Sequence, residues 1–298
     1  MVTPEELEAL DLMCWLCNGD DAALLGYCNQ STISRRSQHA LKTFQLKPNR
    51  ALDLHQLAGN SSLVQMEREV HQLYRLSGRS RLRLHAPYGA SRLLSSQLDP
   101  DWMLNPARKK EPVGAALRLL EDRVIDALIA EPVQRPADND PTFFCFDLYK
   151  APLLLCGIQE AGNPLFGESN LTSQDVGRIA SFNPFPFAST TTKECGSHLF
   201  DSLYGGYSCD DDGGPDGPPS KRQSTFFISP TLLLPEFSHF DVVNCECGFE
   251  AKESLVVLRG LEESPKILGL LEILSRAYLP FLKDCPDVTI DKAFVWGR

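Results

Sequence analysis

The stretch AALLGYCNQSTISRRSQHAL, residues 22–41, constrains this chain most. A short apolar helix breaks at Gly26-Tyr27, and a longer helix restarts on a polar run with two arginines. Before it, Leu7, Leu10, Met13, Cys14 and Cys17 recur at helical spacing and predict a helix over 4–17, with Pro4 at its first position and Thr3 as its cap. Asp20-Asp21 suit the start of a second helix over 20–26, which Gly26 closes. A third helix runs over 30–44, with Pro48 beyond its end. Helix, short helix, tight turn, longer helix is the order of a helix-turn-helix. On the third helix Ile33, Ser37, Ala40 and Phe44 share one face and pack inward. Thr32, Arg35, Arg36 and His39 are expected on another, outward face.

Charge sharpens this reading. The formal net charge is −10, which excludes a generally basic nucleic-acid coat. Residues 82–298 carry the whole of that excess. Within the neutral first 81 residues, the segment 22–50 holds Arg35, Arg36, Lys42, Lys47 and Arg50 and no acid. A local basic patch is attached to an acidic body. Arginine pairs bidentately with guanine and glutamine with adenine, and Ser and Thr hydroxyls suit phosphates and bases. The start of the third helix is therefore a candidate base-reading surface.

A fourth helix is predicted over 61–77. Its Leu63, Met66, Val70 and Leu73 follow an a/d spacing that suits a partner helix. From residue 82 strands and helices alternate. RLRLHA, VIDALIAEP, APLLLCGI and ESLVVLR read as strands. SRLLSSQL, VGAALRLLEDR, SQDVGRIASF, ECGSHLFDSLYGG and SPKILGLLEILSRAYLPFL read as helical at least in part. This order predicts an α/β domain with a mostly parallel sheet. The Gly-, Pro- and Asp-rich run 204–224 is expected to be a loop. It lacks the glutamate that would complete a calcium-binding loop. The expected division is a helix-turn-helix unit at 1–60, a linking helix at 61–80, and an α/β domain at 81–298.

The motifs resemble those of the LysR-type transcriptional regulators. In AALLGYCNQSTISRRS, Ala22-Ala23 match the family's alanine pair, Gln30 its glutamine, Ile33 its leucine and Ser34-Arg35 its Ser-Arg pair. Gly26, Asn29, Ser31 and Arg36 depart from the signature. Leu57-Ala58-Gly59 looks like the "TxAG" segment before the family's linker helix. LRLHAPYGAS resembles its first effector-domain strand and loop, and LEDRVIDALIAEP its "LxxGxLDLALV" segment. DLYKAPLLLCGIQEAGNPLFGESNLTSQDV is similar to its "PLVLVxPxxHPLA" region, and SPKILGLLEIL to its closing helix.

The resemblance implies a winged helix-turn-helix, a linker helix and a periplasmic-binding-protein-like effector domain of two α/β subdomains. It implies double-stranded DNA as a partner, read through Gln30, Ser31, Thr32, Ser34, Arg35, Arg36 and His39. It implies a homodimer or homotetramer built on Leu63, Met66, Val70 and Leu73, with RNA polymerase as a further partner. A small anionic effector, such as a carboxylate, is expected near Ser91 at a helix start, with positive charge from Arg108, Lys109 and Lys110. The competing reading is an effector-sensing or protein-interaction module whose helix-turn-helix no longer reads DNA. The sequence holds no nucleophile elbow, P-loop, G-x-G-x-x-G or H-E-x-x-H, so an enzyme is not expected. The ten cysteines and six histidines lack metal-ligand spacing, so buried reduced thiols and neither metal nor cofactor are expected. The acidic N-terminal stretch lacks the form of a signal peptide, and the apolar runs are too short to span a bilayer. A cytoplasmic protein without membrane association is expected.

Overall fold

The computed structural model describes residues 2–48, 57–58, 62–106, 115–130, 134–157, 171–172, 226–230, 241–243, 245–246, 250–282 and 289–290. The helical start of the chain forms as its periodicity predicts. Helix α1 (Pro4–Leu16) opens on a capping box: the Glu6 N–H donates to the Thr3 hydroxyl at 3.3 Å, and the Thr3 N–H donates to the Glu6 carboxylate at 2.9 Å. Helix α2 (Gly19–Leu25) is capped by Asn18, whose side chain accepts from the N–H groups of Asp20 and Asp21. The turn to α3 (Gln30–Thr43) passes through Tyr27 in the left-handed region at φ 48°. Gly26 stands where the helices converge. A Cβ there would lie 3.1 Å from Ile33 Cδ1 of α3 and 3.3 Å from Leu12 Cδ1 of α1. A larger residue would push the two helices apart, which explains the departure from an apolar residue at this position.

Strands β1 (Lys47–Pro48) and β2 (Leu57–Ala58) pair antiparallel beyond α3, in the place of a wing. Helix α4 (Ser62–Leu76) follows. The body is built on β3 (Leu82–His85), α5 (Tyr88–Leu94), β4 (Trp102–Leu104), α6 (Ala115–Glu121), β5 (Ala127–Ala130) and the long β6 (Phe143–Gly157). Further along come β7 (Leu171–Thr172), β8 (Phe226–Pro230), β9 (Asp241–Val243), β10 (Cys245–Glu246), β11 (Glu250–Leu258), α7 (Pro265–Leu282) and β12 (Thr289–Ile290). The predicted helices in SQDVGRIASF and ECGSHLFDSLYGG, and the loop 204–224, lie outside the described residues.

The main sheet has the order β12-β6-β11-β5-β3-β4, with β8 and β9 also paired to β6. It corrects the expectation of a mostly parallel sheet. Within this sheet only β4, β3 and β5 run parallel to one another among the described strands, and β10 pairs parallel with β7 in a separate two-stranded sheet. β11 is antiparallel to β5, and β6 is antiparallel to β11, β12, β8 and β9. The reason is topological. β6 carries the chain out of the first half of the body and β11 brings it back, so the two must oppose each other. At the β-bulge between Glu253 and Ser254, the buried Glu253 carboxyl accepts from the Tyr278 hydroxyl at 2.8 Å, and burial pushes its pKa above the usual carboxylate range.

The sheet is buried on both faces, and the alternation of its strands sorts residues between two cores. Ala127, Ile129, Leu255 and Val257 join Leu82 and Leu84 against α5 and α7. Leu128, Ala130, Val256 and Leu258 join Met103 and the apolar side of α6. The second core is continuous with Leu7, Leu10, Leu12 and Trp15 of α1 and Ile33 of α3. The N-terminal helices thus share one core with the body.

Ion pairs bind them further. On β3, Leu82 and Leu84 enter one core while Arg83 and His85 face the helices. Arg83 Nη1 donates to Asp11 of α1 at 3.0 Å, and Trp15 Nε1 donates to His85 Nδ1 at 3.0 Å. Helix α4 buries Val64, Arg68, Gln72 and Arg75, a stripe at helical spacing. Arg68 Nε donates to Asp11 at 2.8 Å. Arg75 binds both carboxylate oxygens of Asp126 at 2.8 Å each, and Asp126 also accepts from the Arg83 N–H and the Gln72 amide. Burial alone would push the Asp11 carboxyl up, but Arg68 and Arg83 outweigh it and hold it below the usual range. Arg83 is crowded in turn: burial and Arg75 lower its pKa, and its Nε has no hydrogen-bond partner among the described residues.

Removing one partner from such a network leaves a buried charge uncompensated. Asp126→Ala is expected to cost about 3–5 kcal/mol of stability by stranding Arg75. Urea unfolding checks this. A loss under about 1 kcal/mol would show that water reaches Arg75 and that the network is not closed.

Candidate nucleic-acid interface

Helix α3 begins in a compact cap. Asn29 Oδ1 accepts from the Thr32 N–H at 3.2 Å, the Thr32 hydroxyl at 2.7 Å and the Ser31 hydroxyl at 3.0 Å. The polar run NQSTISRR therefore has a structural task as well as an outward one: its first residues satisfy the open N–H groups of a helix start. Gln30 is exposed but folds back along α2, its Cγ and Nε2 lying 2.9 Å from where a Gly19 Cβ would stand. Ile33, Ser37 and Ala40 are buried as their spacing predicts.

The outward face is only partly free. His39 is exposed as expected, but its Nδ1 is engaged, pairing with Glu6 of α1 at 2.8 Å. Arg36 is only half exposed and its charge acts on Glu5. Glu5 is held below the usual range first by a backbone hydrogen bond at the start of α1, then by the Thr3 hydroxyl and, less strongly, by Arg36. The cause is the helical period. Positions 36 and 39 lie on the flank of α3 that faces the acidic first turn of α1. The residues on the solvent side include Ser31, Ser34, Arg35, Gln38 and Lys42, with the Glu6-paired His39 also exposed. Arg35 lies along its own helix, Nε donating to the Ser31 carbonyl at 3.3 Å, and Gln38 Nε2 donates to the Ser34 hydroxyl at 3.4 Å. The Gln38 position escaped the sequence reading, although its spacing of four from Ser34 places it on the same line.

The N-terminal helices are further held by Arg81, just before β3. Its guanidinium donates to the Leu25 carbonyl at 2.5 Å and to the Tyr27 hydroxyl at 3.2 Å, and stacks 4.4 Å from the Tyr27 ring centre. On α4 the residues Leu63, Met66, Val70 and Leu73 are 60–67 % exposed, so the apolar seam faces solvent while the opposite, arginine-bearing face is buried.

Ser91 lies within α5 and is buried. Its N–H donates to the Pro87 carbonyl at 2.8 Å, and its hydroxyl donates to the Asn105 carbonyl at 2.7 Å, tying the start of α5 to the segment after β4. An anion at this helix would meet N–H groups before Ser91, not its own. Arg108, Lys109 and Lys110 lie outside the described residues. A cavity of about 380 Å³ opens instead between α4 and the end of α6, lined by Gln65, Met66, Glu69, Glu121, Asp122 and Arg123 among others. Its three carboxylates do not suit an anion, and burial pushes the Asp122 carboxyl above its usual range. No group of His, Cys, Asp and Glu among the described residues could hold a metal ion. The thiol of Cys14 is buried and pushed up to about 12, so it stays protonated at neutral pH. No helix among the described residues is long and apolar enough to cross a membrane.

No family model matches the chain, and no curated protein matches it. Among solved structures it is similar, along most of its length, to LysR-family regulators. A full-length cysteine-mutant OxyR from Pseudomonas aeruginosa shares 12 % identity, covering 93 % of this chain and 97 % of that one at a TM-score of 0.49. A cysteine-mutant OxyR from Corynebacterium glutamicum also shares 12 %, covering 95 % of each chain at a TM-score of 0.48. The regulatory domain of MetR from N. meningitidis, a LysR family regulator, shares 10 %, covering 72 % of this chain and 99 % of that one at a TM-score of 0.46. Likeness of this degree leaves the functional reading to the chain's own residues.

Proposed function

We propose that this chain is a sequence-specific, DNA-binding transcriptional regulator of LysR type rather than an enzyme. The observation that carries the reading is the solvent face of α3: a capped helix start in an acid-free segment, presenting Ser31, Ser34 and Arg35 beyond a tight turn. That helix has the dimensions and donors of a major-groove reader, and Lys42 and Lys47 supply exposed positive charge beside it. The pairing of β1 with β2 supports a wing next to it. The competing reading, a helix-turn-helix that no longer reads DNA, draws on the pairing of His39 with Glu6, which engages one of its two ring nitrogens.

Arg35 is the donor best placed for a guanine edge. Arg35→Ala is expected to weaken specific binding by roughly 1–3 kcal/mol. Fluorescence titration against the operator, with scrambled duplex as the control, reads this directly. Unchanged operator affinity would remove Arg35 from the interface, and equal affinity of the wild type for operator and scrambled DNA would favour the competing reading.

The protein assembles, in this proposal, through the solvent-facing seam of α4, giving a homodimer, or a homotetramer built from it, with two reading heads for a pseudo-palindromic site. The seam supports this because it is apolar, contiguous and turned away from the chain's own core. Val70→Glu should halve the molar mass in light scattering while leaving the circular dichroism unchanged. An unchanged mass would place the assembly contact elsewhere.

The effector in this reading is a small anion, a carboxylate, held at the start of α5 with charge from Arg108, Lys109 and Lys110. Ser91 positions that turn through Asn105. Such a ligand raises the melting temperature because it binds the folded form alone. A thermal-shift series of organic acids should yield a stabilising compound whose effect shrinks when the three basic residues are replaced by alanine. A stabiliser that acts equally on that variant would put the anion site elsewhere, and no stabiliser at all would sink the anionic effector.

A further inference from the structure

We infer that Gln38 is a specificity-determining residue that reads an adenine–thymine pair, an inference that rests on the proposed DNA-reading role of α3. Three observations lead to it. The solvent face of α3 runs through Ser31, Ser34, Arg35, Gln38 and Lys42, with His39 exposed beside it, so Gln38 stands at its middle, between two cations. Arg36 is partly buried on the flank of α3, and His39, though exposed, has its Nδ1 engaged by Glu6 of α1 at 2.8 Å. The Gln38 amide is held over its own helix by the bond from Nε2 to the Ser34 hydroxyl at 3.4 Å, which limits the rotamers lost on binding.

The chemistry then selects the partner. A side chain whose task is to hold phosphate is best as a cation, and Arg35 and Lys42 already flank this position. Glutamine is neutral and offers one acceptor beside one donor. Those match the N6 amino group and N7 of adenine in the major groove: Oε1 accepts from N6–H, and Nε2 donates to N7. Residue 38 lies four positions beyond Ser34, about 6 Å further along the helix axis. The base pair it meets is therefore distinct from the one under Ser34 and Arg35, and is expected one or two steps away.

The test is selection from a randomised duplex library with the full chain, comparing wild type, Gln38→Ala and Gln38→Glu. Wild type should enrich adenine at one position of each half-site. Gln38→Ala should lose that preference alone, with affinity for the wild-type sequence reduced roughly 5- to 150-fold and affinity for scrambled duplex unchanged. Gln38→Glu should move the preference towards cytosine, whose N4 amino group donates to a carboxylate. Position 38 is exposed and alanine favours helix, so both variants should keep the wild-type circular dichroism. If Gln38→Ala keeps every base preference, or weakens all sequences equally as a phosphate contact would, the assignment is overturned while DNA reading stands. If wild type enriches no sequence, the DNA-reading role falls and this inference with it.

Discussion

Two buried carboxylates, Asp11 and Asp126, hold this structure together. Between them they neutralise three arginines from two elements: Arg68 and Arg75 of α4, and Arg83 of β3. None of the three arginines could be buried alone, because removing an ion from water costs several kcal/mol that only close pairing offsets. The carboxylates come from α1 and from the residue just before β5. Each element that contributes a charge is therefore fixed relative to the others. Helix α4 can bury a polar face only because α1 and the sheet supply acids to meet it.

This arrangement decides what the rest of α4 can do. A helix has one inner side, and here Arg68, Gln72 and Arg75 occupy most of it beside Val64. The apolar residues at a/d spacing are left facing water, where they are costly unless covered. The same clamp joins the N-terminal helices to the body. Trp15 bonds to His85, Arg81 holds the end of α2, and the apolar core runs unbroken from α1 to the sheet.

The α3 surface shows the same logic on a smaller scale. Its start is shaped by Asn29, which takes three hydrogen bonds from Ser31 and Thr32. Its flank is shaped by Glu5 and Glu6, residues that serve first to cap and charge the start of α1. Glu6 engages one ring nitrogen of the exposed His39, and the middle of the stripe is left to Gln38.

The sequence by itself determined the local elements. Apolar spacing placed α1, α3 and α4 to within a residue or two, because a helix exposes its period directly in the chain. Strand β3 was legible in the alternation of RLRLHA, and the basic segment 22–50 in its lack of acids. The tertiary structure alone decided which side of each element is inside. Nothing local in the sequence marks Arg68 and Arg75 as buried; Asp11, 57 residues from Arg68, and Asp126, 51 residues from Arg75, meet them only in the folded chain. It also set the strand directions, since nothing local in β6 or β11 says that one leaves the first half of the body and the other returns. Periodicity is a property of neighbours along the chain. Burial of charge and the sense of a sheet depend on residues that only folding brings together.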